Sequence, residues 1–346
     1  MKQLKQIAQY ILSLSLALGL LYYVFRDMDF SDFQARAEDL TYGWIYVSFA
    51  MALISHWARA YRWNLLLKPL GYQHLSVWRT FLAVMVGYFA NLIIPRAGEV
   101  ARCAILAKSD KVPLSTGVGS VVAERLFDFI ILLVSVALVL FLEFEVLFQF
   151  LSDLISEKFG QSLSLLPLVS VMLALGLLGM TGMVYLWRFK RAWLRKNAFF
   201  VKIESFLEQL TKGLLSFRSI ENKWGFVLST IVIWAMYFTM SFVIFFAWPE
   251  TAHFGPRIGL TLFVMGGLGM AAPVQGGIGA YHWIVSRTLA LYGLPLTDGV
   301  FFATVLHTSQ TVMLLIVGGI SLAISLILFG KDQKVDQQKA PLVKPQ

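Results

Sequence analysis

The chain has 346 residues, of which 58% are hydrophobic and only 14% charged, with a net charge of +9, one cysteine and a mean hydropathy of +0.70. A soluble domain carries charge on about a quarter of its residues, so the composition excludes an ordinary soluble enzyme and indicates a polytopic membrane protein. Cys103 alone rules out an internal disulfide framework and a cysteine-based zinc site, and the basic residues lie between apolar runs, where they face anionic lipid headgroups and not nucleic acid.

The first run, IAQYILSLSLALGLLYYVF after MKQLKQ, predicts a retained helix over 7–25, because no small-x-small cleavage site precedes Arg26. The acidic segment 26–40 (Asp27, Asp29, Asp32, Glu38, Asp39) does not resist translocation, whereas 59–79, with Arg59, Arg62, Lys68 and Arg79 and no acid, belongs inside. A second span is therefore expected over 41–58. If 75–94 then crossed outward, Arg96, Arg102, Lys108 and Lys111 would be translocated and the acidic 143–157 would end inside. A re-entrant hairpin over 75–110, entering and leaving on the inner face, removes both conflicts. Next come spans at 116–142 and 165–187, then an inner, basic 188–223 whose apolar residues recur at helical spacing and predict an amphipathic segment on the membrane surface. A span at 224–247, a second hairpin at 258–292 entering from the opposite face, and a last span at 299–329 complete the order. The tail 331–346 is polar and expected to be disordered.

The expected fold is thus an all-α integral membrane domain over 1–328, N-in and C-in, with about six transmembrane spans and two re-entrant helical hairpins. The pattern of span, span, broken hairpin, span repeats with inverted topology, about 7–142 and about 165–329. Each hairpin breaks at a Pro-x-x-Gly: Asn91, Pro95 and Gly98 in the first, Pro273, Gln275, Gly276, Gly277 and Gly279 in the second. Gly/Pro-interrupted segments at matching places in inverted halves point to a transporter binding site near the membrane midplane, and irregular backbone at that depth must be buried in protein or line a wet cavity.

The motifs PRAGEVAR at 95–102, ERLFD at 124–128 and PVQGGIG at 273–279, with ARAYRWNLLL after the second span and His307 in the last helix, resemble the lysylphosphatidylglycerol synthase transmembrane-region family. The resemblance covers roughly 10–328. It implies a flippase-like protein of the bacterial cytoplasmic membrane, moving aminoacylated phosphatidylglycerol or a lipid of polyprenyl-sugar or hopanoid pathways. Two positions depart from the family's Pro-x-Pro-Gly-Gly-x-Gly followed by Glu: Gln275 stands at the second proline and His282 near the glutamate. No soluble domain accompanies the membrane part, so the resemblance implies no aminoacyl transfer.

Charged residues at membrane depth are costly unless paired. Glu124 and Asp128 share a helix face and are expected to meet Arg96 and Arg102, with Glu99 left for Arg125. Together with Arg59 these form the expected substrate site, a place for an anionic or zwitterionic headgroup; a buried salt-bridge cluster that only pins the first hairpin is the alternative. Arg62 is expected to snorkel to the inner interface. His282 and His307 are either proton-coupling groups or structural hydrogen-bonding residues. No cofactor, metal or nucleic acid is expected, and self-association is left open. Against the lipid transporter stand a membrane-embedded polyprenyl or lipid phosphatase and a non-catalytic partner of a lipid or glycan biosynthetic complex. No hydroxyl nucleophile sits in PVQGGIG, and the usual hydrolase and nucleotide-binding patterns are absent, so a non-enzyme is expected.

Overall fold

The computed structural model describes residues 15–26, 30–146, 148, 178, 181 and 217–339. These form helices and turns, with no strand among the described residues. In chain order the helices are α1 (Ser15–Phe25), α2 (Phe30–Glu38), α3 (Tyr42–Leu67), α4 (Val77–Ile93), α5 (Gly98–Ser109), α6 (Leu114–Leu142), α7 (Lys223–Phe242), α8 (Pro256–Met270), α9 (Ala280–Ala290) and α10 (Leu296–Lys339). The expected span at 165–187, apart from 178 and 181, and the expected amphipathic segment up to 216 lie outside the described residues.

Among the described residues, three stretches are long and apolar enough to cross a bilayer: Leu114–Leu142, Lys223–Ala247 and Leu296–Leu328. They coincide with the expected spans at 116–142, 224–247 and 299–329. Their outer faces carry exposed apolar side chains, such as Ile316, Ile320, Leu326 and Ile327 on α10, a surface that a soluble protein would bury. Helix α3 has the length, 26 residues, but its second half is polar inside: Ser55, His56, Arg59, Arg62 and Asn64 are all buried. The last helix continues to Lys339, into the stretch expected to be disordered, because Lys and Gln propagate an existing helix readily.

The chain forms two compact units, Met1–Arg125 with Ser219–Gln346, and Leu126–Arg218. Among its described residues the second consists mainly of the later part of α6, with Leu133, Val134, Leu140 and Phe141 exposed. In the first unit, one core joins α3, α4 and α5 through Trp63, Met85 and Leu106. Another joins the turn after α7 to α8, α9 and α10 through Phe245, Leu262, Val285 and Phe301.

Two pairs of short helices fold back on themselves. Helices α4 and α5 have 17 and 12 residues, α8 and α9 have 15 and 11. At 1.5 Å per residue each is shorter than the ~30 Å of a hydrocarbon core. The first pair closes through glycine: a Cβ on Gly87 would lie 2.8 Å from the Gly98 carbonyl oxygen, and one on Gly98 would strike the Gly87 carbonyl and the Asn91 amide. Asn91 Oδ1 accepts from the Gly98 N–H at 2.7 Å, supplying a partner to one of the amides that every helix start leaves open. The reversal itself runs through Pro95 and Arg96, the latter at φ 63°. In the second pair, Gly269 and Gly266 give room to Tyr281, and the connection bends at Gly276, Gly277 and Gly279, with φ of 55°, 76° and 80°. A Cβ on Gly276 would sit 3.5 Å from Leu92 Cδ2, so the second break rests on the end of α4.

Candidate functional site: an arginine cluster opening on a cleft

Glu124, fully buried on α6, is the centre of a charge cluster. Arg59 of α3 donates through Nη1 to Glu124 Oε1. Arg62, one turn on, reaches the same oxygen with Nη2 at 3.4 Å and donates through Nη1 to Thr230 Oγ1 of α7 at 3.3 Å. Arg102 of α5 meets Glu124 Oε2 through Nη1 at 3.0 Å. Two helices, α3 and α5, therefore converge on one carboxylate of α6, and i, i+3 spacing explains why α3 contributes twice. The Arg102 guanidinium lies 4.5 Å from the centre of the Trp63 ring, a cation–π contact, and the Trp63 indole N–H donates to Ser120 Oγ at 2.8 Å. Removing a guanidinium from water costs several kcal/mol unless such partners surround it.

Arg102 also lines a cleft with Gly87, Tyr88, Asn91, Gly98, Glu99 and Arg125. Glu99 and Arg125 form the rim, half-exposed, with Arg125 Nε 3.1 Å from Glu99 Oε1. Although 3% exposed, Arg102 has no hydrogen-bond partner at Nε or Nη2. These two nitrogens share one edge of the planar guanidinium, the edge that grips two oxygens of a phosphate or carboxylate side by side. A polar chain continues on the α3 side: Arg59 Nε donates to Tyr237 Oη at 3.2 Å, and the Tyr237 and Tyr88 hydroxyls are 2.9 Å apart. The His56 ring packs on Tyr88, centroids 4.5 Å apart.

The expected pairs Arg102 with Glu124 and Glu99 with Arg125 are both present. Arg96 is the exception. It is exposed at the hairpin turn, at φ 63°, and it is not among the partners of Glu124. Arg59, expected beside these residues, belongs to the Glu124 cluster. Arg62 is fully buried instead of snorkelling, because this end of α3 packs against α7 and covers it. Asp128, 8% exposed, lies one turn beyond Glu124 on α6.

At the second break Pro273 is exposed, and Gln275 is buried with neither amide atom hydrogen-bonded. His307 Nε2 lies 2.7 Å from the Gly276 carbonyl oxygen, and the Gly279 N–H donates to His282 Nδ1 at 3.3 Å. Tyr88, Tyr237, Trp63 and Thr230 are site residues that sequence reasoning missed. Trp63 had a signal, sharing the buried stripe of Arg59 and Arg62; Tyr237 had none, being one aromatic among many on α7. Among the described residues no group of acids, histidines or cysteines suits a metal ion.

Short broken helices packed among apolar spans, with a buried charge cluster at their junction, define a multi-pass membrane protein. Residues 10–318 match the model of the lysylphosphatidylglycerol synthase TM region, and the chain belongs to that family, a family of membrane domains associated with lipid modification and flipping. Neither the curated proteins nor the solved structures contain a match to the chain.

Proposed function

We propose that this protein moves a phospholipid or lipid-linked anionic headgroup across the bacterial cytoplasmic membrane, and that it is a transporter and not an enzyme. The observation that carries the reading is Arg102, a buried residue that lines a cleft between short helices and whose Nε and Nη2 have no hydrogen-bond partner. Orphaned donors are rare in a folded interior, and here they match an oxyanion. In this reading the headgroup meets Arg102 while the acyl chains stay in lipid. Glu124 holds Arg102 by its other nitrogen, which fixes the edge in place. In this reading α4–α5 and α8–α9 are re-entrant hairpins of two inverted repeats, since each helix is short for a crossing, and α1, α3 and the span expected over 165–187, largely outside the described residues, complete about six spans.

Headgroup translocation in liposomes reconstituted with the full chain tests this. Wild type should move an anionic fluorescent phospholipid, and Arg102→Lys, which keeps the charge but loses the fork, should be slower by roughly tenfold to a hundredfold, the equivalent of about 1.5–3 kcal/mol for a charge-assisted bond. Equal rates in the two proteins would remove Arg102 from the pathway.

A further inference from the structure

The two histidines of the second break are held by bonds of opposite sense. A carbonyl oxygen can only accept, so His307 Nε2, 2.7 Å from the Gly276 oxygen, carries a hydrogen. A backbone N–H can only donate, so His282 Nδ1, 3.3 Å from the Gly279 nitrogen, presents a lone pair, and neutral His282 keeps its hydrogen on Nε2. The rings stand 4.9 Å apart at 62°. What is left over is a donor on His282 and a vacant acceptor, Nδ1, on His307. A proton added to His282 would have to sit on Nδ1, against the Gly279 N–H at the start of α9. One added to His307 leaves every existing bond in place and makes the contact to the Gly276 carbonyl charge-assisted.

We propose that His307 takes up one proton at Nδ1, and that the resulting cation, gripping the Gly276 carbonyl, couples lipid movement to a proton gradient. The lipid-transport reading is needed for what the proton drives, not for the binding itself. Gly276 is the point of contact with Leu92, and Leu92 follows Asn91, which lines the cleft and caps α5. Tightening or releasing Gly276 therefore acts on the first hairpin directly. The neighbours seen on the packed elements are uncharged: from α9, the Tyr281 ring lies 5.2 Å from His307 and 6.2 Å from His282. From α1, Phe25 lies 5.9 Å from His282; from α3, Ser48 bonds Gln310, one turn along α10 from His307; from α4, Met85 and Phe89 face α10 at Gly318. Among the described residues no carboxylate or cation is ion-paired with either histidine. The unbonded amide of buried Gln275, next in sequence to Gly276, adds an oxygen that can turn toward the new charge.

The test uses the full chain in liposomes of phosphatidylethanolamine and phosphatidylglycerol, with nitrogen-15 histidine. Between about pH 8 and about pH 5, where histidine charge normally changes, solid-state NMR should show one buried histidine gain a second N–H. That signal should be missing in His307→Gln, whose amide can still donate to Gly276, and retained in His282→Asn, whose carbonyl can still accept from Gly279. In parallel, an imposed pH gradient should change the rate of anionic lipid movement on the order of tenfold in wild type and leave His307→Gln insensitive. If His307 stays neutral throughout, or if His282 ionises first, the inference fails, whatever the lipid does. Proton uptake at His307 with no lipid movement would instead sink the transport reading and leave the proton site standing. Gradient-independent lipid movement by wild type overturns the coupling while sparing the transporter.

Discussion

Arg102 meets two demands that pull apart: it must be neutralised well enough to lie 3% exposed and yet keep a binding edge open. Glu124 reconciles them by engaging Nη1 alone. The same carboxylate serves Arg59 and Arg62, so Glu124→Gln should do more than weaken one contact. Breaking a buried ion pair from one side costs about 3–5 kcal/mol, and thermal unfolding in detergent should show a correspondingly large loss; a variant as stable as wild type would mean that the arginines are held by other groups. Much of this was legible from residue types and spacing: Glu99 with Arg125, and Arg102 with Glu124, follow from which charges occupy the first hairpin and α6. The position of Arg96 was not, because one left-handed residue at the turn decides which way its side chain leaves the chain. Nothing in helical spacing carries that information. Arg62 was misjudged for a related reason, since whether an arginine reaches the interface depends on the α7 neighbour that packs over it.

At the scale of elements, the hairpin of α4 and α5 is built on close backbone approach. Gly98 has ordinary helical geometry, but an added Cβ would meet the Gly87 carbonyl and lie 2.6 Å from Asn91 Nδ2. Gly98→Ala should therefore destabilise the protein by about 1–3 kcal/mol, as overpacking does, and should also displace Asn91 from the start of α5. Lipid movement at a temperature where the variant remains folded should fall as well, because Asn91 and Arg102 line the same cleft. Activity unchanged at full stability would mean that the hairpin adjusts without cost and that its geometry is not what positions Arg102. The breaks near Pro95 and Gly276 were readable in advance because glycine and proline mark them locally, whereas the ends of α3 and α10, which run on to Leu67 and Lys339 past the expected 58 and 329, were not. The meeting of the second break with Leu92 was not readable, since it joins residues far apart in sequence through a contact between two otherwise featureless apolar surfaces.

For the whole molecule, the decisive question is whether α4 turns back at Pro95 or crosses. Charge distribution argues for turning back, because Arg96, Arg102, Lys108 and Lys111 then remain on the inner side, and the 17 residues of α4 are short for a crossing. Single cysteines read this directly, against a background in which Cys103 is buried at 1% exposure and should stay silent. His74→Cys, in the exposed turn before α4, should react with a membrane-impermeant maleimide added to the inner face. His253→Cys, exposed between α7 and α8, should react from the outer face. The informative site is Arg96→Cys at the first turn. With a re-entrant hairpin beside a wet cleft, it should react with a small thiosulfonate added on the same side as the His74→Cys reagent, more slowly than that open position, because irregular backbone at depth is reached only through the cavity it lines. Excess anionic phospholipid headgroup should slow it further by filling the cleft at Arg102. Fast labelling of Arg96→Cys from the outer face would make α4 a crossing helix, put four basic residues on the wrong side, and remove the inverted-repeat basis on which the transport reading arranges its two hairpins.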